Sequence, residues 1–256
     1  MMKICRLLYI CCLWGVFSLS YGQHKTDWSR ERLQKAIKTL RIKGYHVIEN
    51  GAMAQKGALI AEMNLEKTFD SQGNIILEIY FDDKNAETLR YEYVYNAQGV
   101  KKYKLHLNPK KEKVGLTLFN CDAQGNVTKE ETYDQNGDLE YSALFVYNDK
   151  GLAKESNFLR EDFSMKIHSS YDSKGRLLEQ EQHIVDKGEN IFNKGKYRYN
   201  GHGDYDRILS LLKRNFAQKN TFHYKYDKNG NWIERFEYQD GKPLTFNFVV
   251  YNSRAE

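Results

Sequence analysis

The sequence predicts a mostly β protein, a single curling antiparallel sheet of successive β-hairpin repeats, with one N-terminal capping helix. Three observations carry this. A motif of the form aromatic–Asp/Asn–x–x–Gly returns seven times at a nearly constant interval. The residues before each motif alternate aromatic with polar, the period of a half-buried strand. The chain holds only 2 prolines against 18 glycines, 19 tyrosines and 13 phenylalanines. With 41% hydrophobic and 29% charged residues it is too apolar and aromatic for disorder and too polar for a multi-span membrane protein. The net charge of +5 is small and dispersed, and gives no ground for a nucleic-acid partner.

The first element is expected to leave. Residues 1–22 read as a secretory signal peptide: Lys3 and Arg6 form a positive start, and Leu7 to Phe17 is an apolar run of eleven residues, too short to span a bilayer. Ser20-Tyr21-Gly22 places small residues at −3 and −1 of a cut between Gly22 and Gln23. A lipid anchor on Cys11 or Cys12 fits less well, because Ile10 before Cys11 is not small. Cleavage leaves 37 basic and 34 acidic residues and removes Cys5, Cys11 and Cys12. Cys121 then has no partner for an internal disulfide, and reads as a small core hydrophobe. The expected location is exported, periplasmic or at the cell surface or secreted, with no transmembrane segment in the mature chain.

Residues 23–64 are expected to form an N-terminal helix and cap segment. Over 27–43, Leu33, Ala36, Ile37 and Leu40 share one helical face, with Asp27 or Ser29 to cap the helix and Gly44 to stop it. Arg30, Arg32, Lys35, Lys38 and Arg41 surround that face. Such a helix either meets an anionic membrane surface or covers the open first end of the sheet.

Residues 65–256 form the repeat domain, about seven repeats of about 26 residues. The motif aromatics are Phe69, Tyr95, Tyr147, Tyr171, Tyr199 and Tyr226, with Cys121 in the same place in the third repeat. The structural turn glycines are Gly73, Gly99, Gly125, Gly151, Gly175, Gly203 and Gly230, spaced by 26, 26, 26, 24, 28 and 27. Tyr251-Asn252 opens an eighth copy. In each turn the Asp or Asn side chain is placed to accept a backbone N–H two residues on, and the glycine supplies a positive φ. Turn-like clusters after Phe81, Tyr133 and Tyr238 mark a second turn in each period, giving two strands per repeat and about fourteen in all. Tyr93, Phe119, Phe145, Tyr197 and Tyr224 stand two residues before the motif and share its face, with Lys67 and Ser169 as the exceptions. Ile208, Leu211, Leu212 and Phe216 have helical spacing but occupy a strand slot, so a strand is expected there, followed by a turn over residues 217–220.

Tyr171-Asp172-Ser173-Lys174-Gly175-Arg176-Leu177 and Tyr224-Lys225-Tyr226-Asp227-Lys228-Asn229-Gly230-Asn231 resemble the YD repeat of RHS-type proteins, and the resemblance covers residues 65–251. It implies antiparallel strands following one another along a curling sheet, in an extracellular, non-catalytic repeat scaffold. Such short exported forms are common in Bacteroides-like bacteria, and the repeats have been associated with carbohydrate binding. The large members of that family form shells around toxin domains; fourteen strands are too few for that role.

No catalytic constellation is legible. The histidines at 24, 46, 106, 168, 183, 202 and 223 lack metal-ligand spacing, and no nucleophile elbow, Walker loop or dinucleotide fingerprint occurs. Asp134-Gln135-Asn136-Gly137-Asp138 has its glycine one place too early for a calcium loop and lacks the distal Glu, so it reads as a hairpin turn. Glu130 and Glu131 are adjacent on a strand and face opposite sides. Asn200-Gly201-His202-Gly203-Asp204 is the most polar of the turns and reads as a loosened one. No catalytic residue, metal or cofactor is expected.

The function expected is an exported, non-catalytic binding module that recognises a glycan or cell-envelope ligand through its sheet. The alternative is an envelope interaction, assembly or toxin-neutralising protein acting through an open edge strand. The candidate anionic-ligand patch is Lys196, Arg198, His223 and Lys225, on the face opposite the tyrosines and expected on adjacent strands.

Overall fold

The computed structural model describes residues 27–31, 33–34, 36–50, 53–212 and 216–253. The expected signal peptide and its cleavage site at Gly22–Gln23 lie outside them. After a single helical turn at Asp27–Arg30 the chain is built of strands. These begin with β1 (Ile37–Asn50), β2 (Met53–Phe69), β3 (Ile75–Phe81), β4 (Glu87–Tyr95), β5 (Lys101–Leu107) and β6 (Lys113–Cys121). Next come β7 (Val127–Asp134), β8 (Leu139–Tyr147), β9 (Ala153–Arg160), β10 (Phe163–Tyr171) and β11 (Leu177–Asp186). The last are β12 (Glu189–Tyr199), β13 (Tyr205–Leu212), β14 (Phe216–Tyr226), β15 (Trp232–Gln239) and β16 (Lys242–Ser253).

Each strand pairs with its neighbours in sequence, and β1 pairs with β16, so the sheet is a closed sixteen-strand antiparallel barrel rather than an open curling sheet. The closing seam sets Leu40 opposite Tyr251, Ile42 opposite Val249 and Gly44 opposite Asn247. Closure satisfies the backbone groups that an open sheet leaves bare at both ends. The expectation of action through an open edge strand falls with it, since no strand of the barrel is an edge.

The expected capping helix over 27–43 is also corrected. The repeats supply β3 to β16, and the segment before them supplies β1 and β2. Leu40 and Ile42 alternate with Arg41 and Lys43, a period of two that the helical spacing of Leu33, Ala36, Ile37 and Leu40 masked. Pairing on both sides, with β2 and with β16, gives this stretch a full set of backbone partners that an isolated helix would have to supply alone. Strand is borne out over 205–212, but residues 217–220 belong to β14 and not to a turn.

Alternate residues of a barrel strand face in and out, and burial tells which is which. Phe69, Ala143, Phe145, Met165, Ile167, Tyr197, Ile208, Phe222 and Val249 are all buried, and the pairing puts them on one face with the motif tyrosines. That face is the interior. Leu118, Leu144, Val146, Leu159 and Val250, one residue out of step, are exposed.

The seven motif turns all lie at one end of the barrel, where β1 starts and β16 finishes. In each, the Asp or Asn Oδ1 accepts the N–H groups two and four residues on, as Asp172 does from Lys174 and Arg176 at 2.9 and 2.8 Å. The seven turn glycines have φ between 67° and 89°. Gly73 meets a second demand, because a Cβ there would lie 2.5 Å from the Trp28 ring.

A cross-strand bond repeats with the motif. Tyr95, Tyr147, Tyr171, Tyr199 and Tyr251 each donate their hydroxyl to the carbonyl two residues past the preceding turn glycine: Ile75, Val127, Ala153, Leu177 and Trp232, at 2.6–2.9 Å. In the Tyr226 repeat the donor is Tyr224, to Tyr205 at 2.9 Å.

Candidate functional site

At the mouth ringed by the motif turns, residues 27–31 and 33–34 lie against the turns that carry Gly73 and Asn231. Asp27 is 4% exposed; its Oδ2 accepts the Ile75 N–H at 2.9 Å, and its Oδ1 pairs with Lys101 at 3.2 Å. Trp28 packs on Phe69 and Leu33 joins the same cluster with Trp232 and Tyr251. Asn231 Oδ1 accepts the Gln34 N–H at 2.7 Å. Lys67 bonds Glu31 and lies 3.5 Å from Glu78. Burial works to lower the Lys67 pKa, but those two carboxylates outweigh it and hold the ammonium charged.

Further along the interior, apolar side chains give way to polar ones. On β14 to β16, Asn220 donates to Glu237 Oε1 at 2.7 Å and Thr245 to Oε2 at 3.3 Å, while Asn247 donates to Thr245 at 3.4 Å. Burial raises the Glu237 pKa against the opposing pull of Arg235. On β5 to β7, His106 Nε2 bonds Thr117 Oγ1 at 2.9 Å, and Thr117 bonds Thr132 at 2.7 Å. Burial, with Lys104 nearby, depresses the His106 pKa to about 3. The hydrogen bonds of His106 and those of Glu237 do not join the two residues. Among the described residues no three His, Cys, Asp or Glu side chains come together to hold a metal ion.

The polar turn after Tyr199 is locked from within. Asn200 donates to the Tyr226 hydroxyl at 2.8 Å, that hydroxyl donates to Asp204 at 3.0 Å, and the His202 ring stacks on Tyr226 at 3.9 Å. Its polar groups serve one another, which gives a tied turn in place of the loosened one expected.

The outer wall is laced with charge. Outward-facing pairs include Lys129–Glu131 at 2.8 Å, Lys166–Glu155 at 3.6 Å, Lys194–Glu179 at 2.6 Å and Lys225–Glu234 at 2.6 Å. Each Lys or Arg facing lipid at mid-bilayer costs about 2–4 kcal/mol. Strands β3 and β5 have seven residues and β7 and β9 have eight. Tilted membrane strands need about 9–11. The ion pairs set this exterior apart from a uniformly apolar wall, although Leu144, Val146, Leu159 and Val250 are exposed on it as well.

The four residues of the expected patch all face outward and all are exposed, the ion-paired lysines included. Lys196 lies 3.7 Å from Glu179, and Lys225 is paired with Glu234. They are not on adjacent strands: Lys196 and Arg198 are on β12, His223 and Lys225 on β14, and β13 runs between. What β13 inserts is Arg207, directly opposite Arg198 on one side and Thr221 on the other. Two like charges face each other across strands, an arrangement that costs stability. Among the described residues neither guanidinium has a carboxylate partner, and Arg207 Nε is buried with no hydrogen bond. Sequence counting missed Arg207 because it set the two motif strands side by side and passed over β13 between them.

Comparison with solved structures places the fold. A porin-like protein from Bacteroides uniformis superposes with a TM-score of 0.54 at 10% identity, covering 86% of this chain and 98% of that one. A porin-like protein from Bacteroides vulgatus gives a TM-score of 0.50 at 12% identity, covering 86% and 99%. The Photorhabdus luminescens Tc holotoxin pore gives only 0.28 at 11% identity, with 13% of that chain covered, too loose a likeness to bear on the YD-repeat resemblance. No protein-family model matches the sequence, and no curated protein does. At such identities the shared feature is the barrel, and function rests on the side chains it carries.

Proposed function

We propose that this chain is an exported, water-facing, non-catalytic binding barrel of the cell envelope, and that it recognises an acidic glycan on its outer wall around Arg198 and Arg207. The observation that carries this reading is the opposed arginine pair without a carboxylate partner. An anion bridging the two guanidiniums relieves their repulsion and makes charge-assisted hydrogen bonds to both. Lys196 lies two residues from Arg198 on the same face and extends the positive field.

The likeness to Bacteroides porin-like barrels supports an envelope setting. A pore through a membrane is the other function that porin-like barrels suggest, and the charged outer wall speaks against it here.

The test is binding to immobilised acidic and neutral polysaccharides at low and high salt. The acidic ones are expected to retain the protein at low salt and release it as salt screens the contact. Arg198→Glu should abolish retention without lowering the melting temperature, because a carboxylate there faces Arg207 and replaces a repulsion with an attraction. Lys225 is a poor choice for reversal, because a carboxylate there would face Glu234. Retention of the Arg198→Glu protein like wild type would place the site elsewhere.

A further inference from the structure

The outer wall has a concave place two strands beyond the patch. The β1–β2 hairpin is longer than the others, with 14 and 17 residues in its strands. Its register jumps: Lys43 faces Asn64, whereas Gly44 faces Ile60. The extra residues on β2 form a bulge, and a bulge bends its strand. The hairpin curls, and Lys56 comes to rest 3.7 Å above the Tyr45 ring. Between β1, β2 and β16 this leaves a cavity of about 380 Å³, lined by Arg41, Lys43, Tyr45, Lys56, Glu66, Phe248 and Val250.

The lining has a definite chemistry. Arg41, Lys43 and Lys56 bring three positive charges against the single carboxylate of Glu66. Tyr45 and Phe248 add two flat rings, and Val250 an apolar wall. Arg41 is held rigidly: its guanidinium lies 3.5 Å above the Phe81 ring, and Nη2 donates to Asn64 Oδ1 at 2.7 Å. Asn64 is fully buried and is itself fixed by a bond to the Asp82 carbonyl at 2.8 Å. The other terminal nitrogen, Nη1, is buried and has no hydrogen-bond partner among the described residues. A buried donor left unbonded costs about 1–3 kcal/mol.

We infer that this cavity is a binding site for a small ring-borne carboxylate, whose anionic end enters among Arg41, Lys43 and Lys56 and whose ring lies on Tyr45 and Phe248. The volume suits a single ring with its acid group. Charge and flatness are both required: a free inorganic anion leaves the rings unused, and a neutral sugar leaves the cations unanswered. The site is separate from the Arg198–Arg207 patch, and its success or failure is read independently.

The experiment is a titration of the purified protein, by calorimetry or NMR, with glucuronate and benzoate as ligands and with glucose and inorganic phosphate as controls. One-to-one binding of at least one ring carboxylate is expected, tighter than either control and weakened by added salt. Preference for glucuronate identifies a sugar acid, and preference for benzoate an aromatic acid. Lys43→Gln/Lys56→Gln should weaken the binding about tenfold or more, equivalent to about 1.4 kcal/mol, with an unchanged melting temperature. Arg198→Glu should leave it intact. Failure of both ring carboxylates to bind, phosphate binding as tightly as they do, or full binding by the double lysine variant would overturn the assignment.

Discussion

The Cys121 thiol points at the Lys101 carbonyl, with Sγ 3.6 Å from the oxygen. Lys101 lies two residues past a turn glycine, so this is the acceptor that tyrosine hydroxyls reach in six other repeats. The third repeat keeps the geometry of the contact and gives up most of its strength, because a thiol is a weak donor. The residue is one of a series and has no separate redox role to explain.

Replacing Cys121 by Tyr restores the stronger donor next to the Lys101 carbonyl. The expected gain is about 1 kcal/mol, and Tyr171→Phe, which orphans the Ala153 carbonyl, should lose about 1–3 kcal/mol. Urea denaturation of the two variants measures both. A destabilised Cys121→Tyr protein would mean that the ring does not fit where its siblings do.

Gly73 and Gly175 share a positive φ, at 87° and 77°, but differ in surroundings. A β-branched residue at either is strained by about 1–3 kcal/mol. At Gly73 it also collides with Trp28, whereas at Gly175 the nearest atom to a new Cβ is Leu152 at 3.4 Å. Gly73→Val should therefore cost more than Gly175→Val. Trp28→Ala in the same chain should narrow the difference, and equal costs with Trp28 present would show that the segment does not press on that turn.

Acid should weaken the barrel through His106. Its pKa falls from 6.5 to about 3 on folding, so the fold holds a neutral ring while the unfolded chain takes up a proton near 6.5. Stability from this group is complete above that value and is lost as pH falls toward the folded pKa. The denaturation midpoint should drop between neutral pH and about pH 4, and His106→Gln should flatten that part of the profile. An unchanged slope in the variant would assign the acid sensitivity to other groups.

The charged outer wall makes a prediction opposite to that for a pore. The purified protein should stay in solution without detergent, fail to partition into liposomes and give no conductance across a planar bilayer. Stable single-channel steps would show that the strands meet lipid in spite of their charges.

Much of the repeat was legible because its determinants are local. The turn needs a side-chain acceptor at one position and a positive φ three residues later, and Asp172 with Gly175 states both in the sequence. The tyrosine stripe follows from period-two alternation, which a single strand displays. The function was less legible. Lys196, Arg198, His223 and Lys225 were seen, but Arg207 sits on the strand between them, and the cavity around Arg41 depends on a β2 bulge that no residue spacing announces.

The sequence by itself determined the seven motif turns and the tyrosine-bearing face of the strands that lead into them, since those are set by residues a few positions apart. Only the tertiary structure decided whether the sheet stays open or closes. That choice rests on the pairing of Leu40 with Tyr251 and of Ile42 with Val249, contacts about two hundred residues apart. Residues 37–43 carry both the end of the helical pattern read over 27–43 and an alternating one. The backbone partners offered by β2 on one side and β16 on the other select the strand, because closing the barrel removes both bare edges at once.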